Sequence, residues 1–248
     1  VTVPLLEPNW AAPATVRAAF SLRSGGTSEP PWDTLNLGVH VGDDPSAVLE
    51  NRRRLANALR LPSEPVWLDQ VHGNDVLEVD ARSRPTPDSR PRADALVTRA
   101  PGVVLAIQVA DCLPVLFSSR DGRVIGAAHA GWRGLAAGVL EATVTAMGVP
   151  PAEIVAWLGP SIGPAHFEVR DEVRAAFLAG QADAERAFSP NPRGRWQCDL
   201  PALARQRLTA LGLGSVAGGS WCTAADPVRF FSHRRDQRTG RMAALIWC

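Results

Sequence analysis

Val103-Val104-Leu105-Ala106-Ile107-Gln108-Val109, Pro114-Val115-Leu116-Phe117-Ser118 and Val124-Ile125-Gly126-Ala127-Ala128 follow one another with only short breaks between them. Each run is dense in β-branched and apolar residues and lacks a solvent-facing alternation, the pattern of strands covered on both faces. They predict buried central strands, and with them a sheet-based core. Cys112 falls at the break between the first two runs, and His129 follows the third at a strand end.

On the C-terminal side, Gly134 to Met147 reads as a helix with Leu135, Val139, Leu140 and Val144 as its apolar stripe. Ile154 to Leu158 predicts a strand and Glu168 to Leu178 a helix. Asp199 reads as the cap of a helix running through Leu211 and stopped by Gly212. Met242 to Trp247 predicts a last strand tied into a sheet. On the N-terminal side, Val16 to Leu22 reads as a strand ended by Ser24-Gly25-Gly26. Ser46 reads as a helix N-cap after Pro45, with Val48, Leu49, Leu55 and Leu59 on one face. Val66 to Leu68 and Val76 to Val79 read as strands flanking His72, and the proline-rich Ser83 to Pro91 as an irregular surface loop. Helices and strands alternate without a regular βαβ period and without internal repeats. The expectation is a single α+β domain over residues 1–248, with mixed sheets flanked by helices.

At 248 residues the chain can bury a sizeable core unaided. A hydrophobic share of 46% with 21% charged residues excludes a disordered chain. The formal net charge of +1 argues against a nucleic-acid binder, although all 26 basic residues are arginine. Cys112, Cys198, Cys222 and Cys248 form no CxxC pair and no disulfide framework, so reduced thiols in a cytoplasmic protein are expected. No apolar run approaches the ~20 residues of a membrane span, and the first residues lack a signal-peptide pattern. A monomer is the favoured state.

His72, Cys112 and His129 each stand among small residues, separated by 40 and 17 positions. Two imidazoles and a thiol are a zinc-competent set, and three protein ligands leave a fourth position open for chemistry. The spacing matches no zinc finger, so the fold must bring the three together. Two other chemistries use the same residues. A copper-dependent polyphenol oxidase would share the ligand types, but five histidines are too few to build a trinuclear copper cluster as well. A cysteine hydrolase or amidase would use Cys112 as nucleophile with His129 or His72 as base.

In order along the chain stand Thr34-Leu35-Asn36-Leu37-Gly38 with His40 and Gly42-Asp43, Glu50-Asn51-Arg52, and Trp67-Leu68-Asp69-Gln70-Val71-His72-Gly73. Ala110-Asp111-Cys112-Leu113-Pro114-Val115, His129-Ala130-Gly131-Trp132-Arg133-Gly134, Leu158-Gly159-Pro160-Ser161-Ile162-Gly163-Pro164 and Phe230 to Trp247 follow. This ordered set resembles the YfiH-like laccase-domain family, first called polyphenol oxidases and later described as purine nucleoside phosphorylases. The resemblance implies one α+β domain and His72, Cys112 and His129 as zinc ligands. It also implies phosphorolysis of adenosine, inosine, guanosine and S-methyl-5'-thioadenosine, with some adenosine deamination. The chain departs from the family at His233, where a Tyr is usual before the Arg pair, and His166 occupies a variable position.

Phosphorolysis needs donors that hold phosphate against the ribose anomeric carbon. Arg52 and Arg133 are the expected donors, with Asn36 as a polar positioner. Asp111, beside Cys112, is expected to orient a ligand or to move a proton.

Overall fold

The computed structural model describes residues 2–80 and 90–248. The chain enters through β1 (Leu5–Leu6), β2 (Arg17–Ser21) and helix α1 (Pro45–Leu59), followed by β3 (Val76–Val79), β4 (Ala95–Thr98), β5 (Leu105–Val109), β6 (Leu113–Ser119) and β7 (Ile125–Ala130). Next come α2 (Trp132–Ala136), α3 (Val139–Met147), β8 (Ile154–Leu158), β9 (Glu168–Val169) and α4 (Asp171–Leu178). The remainder is β10 (Phe188–Pro190), β11 (Trp196–Cys198), α5 (Leu200–Ala210), β12 (Ser215–Gly218), α6 (His233–Asp236) and β13 (Met242–Trp247).

The three runs that decided the fold are β5, β6 and β7, and they belong to two different sheets. β6 and β7 lie at the centre of a six-stranded mixed sheet in the order β12-β8-β6-β7-β4-β3, whereas β5 is an edge of the antiparallel sheet β1-β2-β13-β5. The two sheets pack face to face. Phe20, Leu105, Ile107, Met242, Ala244 and Ile246 from the smaller sheet meet Leu96, Leu116, Ile125, Ala127 and Trp157 from the larger. The opposite face of the large sheet, with Val115, Phe117 and Ala128, packs on Val139, Leu140, Met147 and the apolar side of α5. The opposite face of the small sheet, with Ala106, Ala243 and Leu245, is covered by Leu35, Leu37, Trp67 and Leu55 of α1. Four layers thus bury both faces of both sheets, which is why their strands read as unbroken apolar runs; each fully buried Leu, Ile or Phe contributes about 1.5–3 kcal/mol. A small sheet, β10-β11-β9, packs through Val169, Phe188 and Cys198 into the core on the helical side of the large sheet.

Several local expectations are corrected. The cap of α1 is Asp44, whose carboxylate accepts from Ser46 N at 2.9 Å, because Pro45 takes the first helical position. Val66 to Leu68 is not a strand: this stretch contributes an isolated bridge from Val66 to Leu105, and Trp67 turns to the α1 layer. The helix expected over Gly134 to Met147 is two helices, broken at Gly138, whose φ of 92° no L side chain adopts comfortably. Glu168 and Val169 pair with Gln197 and Trp196 as a strand, so α4 starts only at Asp171. His129 lies inside β7, one residue before its end. The loop expected over Ser83 to Pro91 falls outside the described residues except at its last two positions. Among the described residues, no helix is long and apolar enough to cross a membrane.

Candidate metal centre

His72, Cys112 and His129 meet at one end of the sheet sandwich, their donor atoms all within 4.8 Å of one another. Cys112 sits in the tight connection from β5 to β6, while the β6–β7 register sets Pro114 opposite His129 and so places strand-end and turn side by side. His72 comes from the loop before β3, its Nε2 3.8 Å from Cys112 Sγ. Its ring stands edge-on to that of His129, with centroids 4.8 Å apart. Among the described residues this is the one group of three metal-competent side chains.

One carboxylate organises the two histidines. Asp94 is fully buried at the start of β4, and its Oδ1 accepts from His129 Nδ1 at 2.7 Å and from His72 N at 2.9 Å. Its Oδ2 accepts from Gly73 N at 2.6 Å and Val71 N at 3.2 Å. These bonds hold His72 in a left-handed conformation with φ 63°. That conformation costs about 1–2 kcal/mol, while hydrogen bonds to a charged group return about 1.5–3 kcal/mol each, so the strained loop is the stable one. With Nδ1–H committed to Asp94, His129 presents Nε2 to the cluster, the tautomer a metal ligand needs. Sequence reading missed Asp94, since a single Asp before an apolar strand carries no distinguishing signal.

The space between the three side chains is kept by Gly131. A Cβ there would lie 2.9 Å from His72 Cδ2, 3.1 Å from Cys112 Sγ and 3.7 Å from His129 Cε1. Its φ of −61° is ordinary, so the glycine serves room and not backbone freedom. An open position bounded by two imidazoles, a thiol and a missing side chain fits a tetrahedral ion with one exchangeable site.

Charges within the cluster are coupled. Burial alone would push the Cys112 thiol up, but the attraction of His129 and the hydrogen bonds of both histidines outweigh it and bring the thiol down to about 6. Burial alone would lower His129; the Cys112 thiolate and the Asp94 carboxylate outweigh it and raise the imidazole to about 9. Both shifts favour the thiolate–imidazolium form of the pair in the metal-free site.

The cluster opens into a cleft of about 390 Å³ lined also by His40, Asp69, Gln70, Gln108, Trp132, Arg133, His233 and Arg241. A larger depression of about 710 Å³ lies elsewhere, around Arg99, Arg120 and Arg123, but brings no ligand cluster together. In the cleft beside the cluster, Gln70 and Gln108 are locked by two 2.8 Å bonds between the Gln70 amide and the Gln108 backbone. His40 is held below the ordinary imidazole value by burial and then by Arg241. Arg241 and His40 were not singled out as site residues from sequence, because nothing local marks the side chains of a loop and a strand entrance as neighbours.

The expected site residues are distributed as follows. Arg133 lines the cleft, stacked on the Trp132 ring at 4.5 Å. Arg52 donates Nε and Nη2 to Leu37 O at 3.0 and 2.9 Å and lies over the Trp67 ring. Asn36 is buried, its amide spanning Gly38 and Asp43, with Oδ1 accepting from Arg241 N at 2.8 Å. Asp111, at φ 92°, turns its carboxylate toward the C-terminal segment, where it accepts from Thr223 Oγ1, Ser232 Oγ and Arg234 N.

A four-layer α+β domain with a His-Cys-His cluster at the mouth of its sheets defines a narrow class. Residues 17–248 match the family described as multi-copper polyphenol oxidoreductase laccase. The chain is 56% identical over 244 residues to purine nucleoside phosphorylase PA4543 of Pseudomonas aeruginosa, covering 98% of this chain and 97% of that one. It is 52% identical over 243 residues to purine nucleoside phosphorylase YfiH of Escherichia coli, with 98% of each covered. The crystal structure of Neisseria meningitidis protein NMB0706 superposes with a TM-score of 0.93 at 45% identity, again over 98% of each chain. The chain belongs to the YfiH family of laccase-like proteins.

Proposed function

We propose that this chain is a zinc-dependent purine nucleoside phosphorylase acting on adenosine, inosine, guanosine and S-methyl-5'-thioadenosine in the cytoplasm, as a monomer, with adenosine deamination as a side activity. The observation that carries this reading is the convergence of His72, Cys112 and His129 on an open position in a chain whose near-full-length relatives are named purine nucleoside phosphorylases. In phosphorolysis a phosphate oxygen bonds to the ribose anomeric carbon as the glycosidic C–N bond breaks, and the departing purine takes the bond pair and a proton.

The three ligands would hold zinc, which when bound supplies Lewis-acid polarisation. The protein's own part is positioning. Asp94 fixes the His129 imidazole and the His72 backbone, Asp111 holds the turn that presents Cys112, and Asn36 sets Arg241 at the cleft. Arg133 and Arg241, which line the cleft, supply guanidinium charge for the phosphate, whereas Arg52, tied to Leu37 O and stacked on Trp67, lies outside that lining and does not take the role expected of it. Copper oxidase chemistry is less well supported, since the described residues form one ligand cluster.

The test is incubation of the zinc-loaded protein with each nucleoside and phosphate, with chromatographic detection of free base, ribose 1-phosphate and inosine. Phosphate-dependent base release is the expected result, and its absence for all four nucleosides overturns the proposal. A second reading, a cysteine hydrolase, is favoured by one observation: the Cys112 thiolate beside a protonated His129 is also a nucleophile–acid pair. It requires turnover in the metal-free protein and a covalent adduct on Cys112.

A further inference from the structure

Beyond the wall formed by Trp132 and Arg133, a second cleft of about 320 Å³ adjoins the metal cleft and shares those two residues with it. Its lining is dominated by guanidinium groups: Arg133, Arg170, Arg195 and Arg234, against the carboxylates of Glu168 and Glu172. Glu168 is already engaged, since it pairs with Arg195 at 2.7 Å and with Arg193 and accepts from Asn191 at 2.8 Å. Arg234 gives one nitrogen to Glu168 O at 3.0 Å and His166 O at 3.4 Å and lies over the Phe167 ring. Among the described residues, no carboxylate pairs with Arg133 or Arg170. All four guanidinium groups are solvent-exposed, and gathered in one concavity their positive potentials add toward an anion that enters it. The planar fork of each free guanidinium matches two oxygens of a phosphoryl group.

We propose that this arginine-lined cleft seats a phosphoryl group, with Arg170 and Arg133 as its recognising cations and Arg234 as the residue that shapes its floor. The proposal rests on the phosphorylase reading for the identity of the group, which is either the attacking inorganic phosphate or the phosphate of the ribose 1-phosphate product. The geometry supports one seat for both, because the shared Trp132–Arg133 wall lets an anion held there reach toward a nucleoside in the metal cleft. Arg195 stays tied to Glu168 and keeps that carboxylate from opposing the anion.

The experiment measures binding apart from turnover. Inorganic phosphate, then ribose 1-phosphate, is titrated by calorimetry into the zinc-loaded wild type, Arg170→Ala and Arg170→Glu. Arg170 is exposed and makes no hydrogen bond through its side chain to other described residues, so both variants retain the fold. Phosphate affinity is expected to fall about three- to tenfold in Arg170→Ala and further in Arg170→Glu, with zinc content unchanged. Competition between phosphate and ribose 1-phosphate in the wild type supports one seat for both. Phosphate affinity unchanged in both variants overturns the proposal, even if phosphorolysis proceeds. Loss of phosphate affinity in the variants of a protein that releases no base from any nucleoside keeps the anion seat and removes only the phosphorylase reading.

Discussion

The Asp94 carboxylate lies 2.7 Å from His129 Nδ1, and the same side chain collects the amides of Val71, His72 and Gly73. One buried acid thus sets the tautomer of one proposed ligand and the backbone of another.

Replacing Asp94 is therefore expected to damage the site twice. Asp94→Asn turns an amide N–H toward donors and removes the charge that holds the His72 loop. Zinc affinity should fall about 10- to 100-fold, read by competition with a chelator. Asp94→Ala leaves buried amides unpaired and should also lower stability by about 1–3 kcal/mol for the first such group, read by urea unfolding.

Gly131→Ala separates space from folding. Its φ suits alanine, yet the added methyl carbon points at His72, Cys112 and His129. The expected outcome is a folded protein with an ordinary melting profile that no longer retains zinc; full zinc content would show that the ion does not sit where the three side chains meet.

The metal-free protein should hold the contribution of the Cys112–His129 pair between about pH 6 and about pH 9 and lose stability on either side. Cys112 is depressed from the ordinary thiol value to about 6, so its contribution is complete above the unfolded value and is lost as pH falls through about 6. His129 is raised to about 9, so its contribution is complete below the unfolded imidazole value and is lost as pH rises through about 9. The pair is intact only between these limits. Thiolate absorbance at 240 nm should rise through the lower limit in the metal-free wild type and not in Cys112→Ser.

Alkylation should distinguish coordinated from free sulfur. Cys112 is expected to resist iodoacetamide in the zinc-loaded protein and to react rapidly once a chelator removes the ion. Cys198 serves as an internal reference, since burial pushes its thiol up to about 12 and keeps it inert in both states. Rapid labelling of Cys112 in the loaded protein would favour the hydrolase reading.

The strand core was legible because β5, β6 and β7 are covered on both faces and need no alternation to be recognised. The assignment of β5 to a different sheet was not, since an apolar run does not reveal its partner. The three proposed ligands stood out by residue type and by their small neighbours, and the structure brings them together. Asp94, Arg241 and Arg170 were invisible because their meaning lies in convergence from distant segments, whereas Arg133 was expected as a phosphate donor without the cleft it lines. Glu168 illustrates the same limit: its place in a helix-like pattern was overridden by pairing with β11 and by arginines of the neighbouring hairpin.

β13 lies between β2 and β5, and Ala243 N donates to Ser21 Oγ across 222 positions of sequence. A sheet completed by its most distant segment closes its largest loop before the pairing energy is returned, and such topologies fold slowly. The inner face of that sheet also carries Val109 and Ala110, which lead directly into the turn bearing Cys112. Ion capture at the proposed site is accordingly expected late: in a stopped-flow refolding trace, chelator-resistant zinc should appear with the slowest burial of tryptophan and not with the early formation of helices.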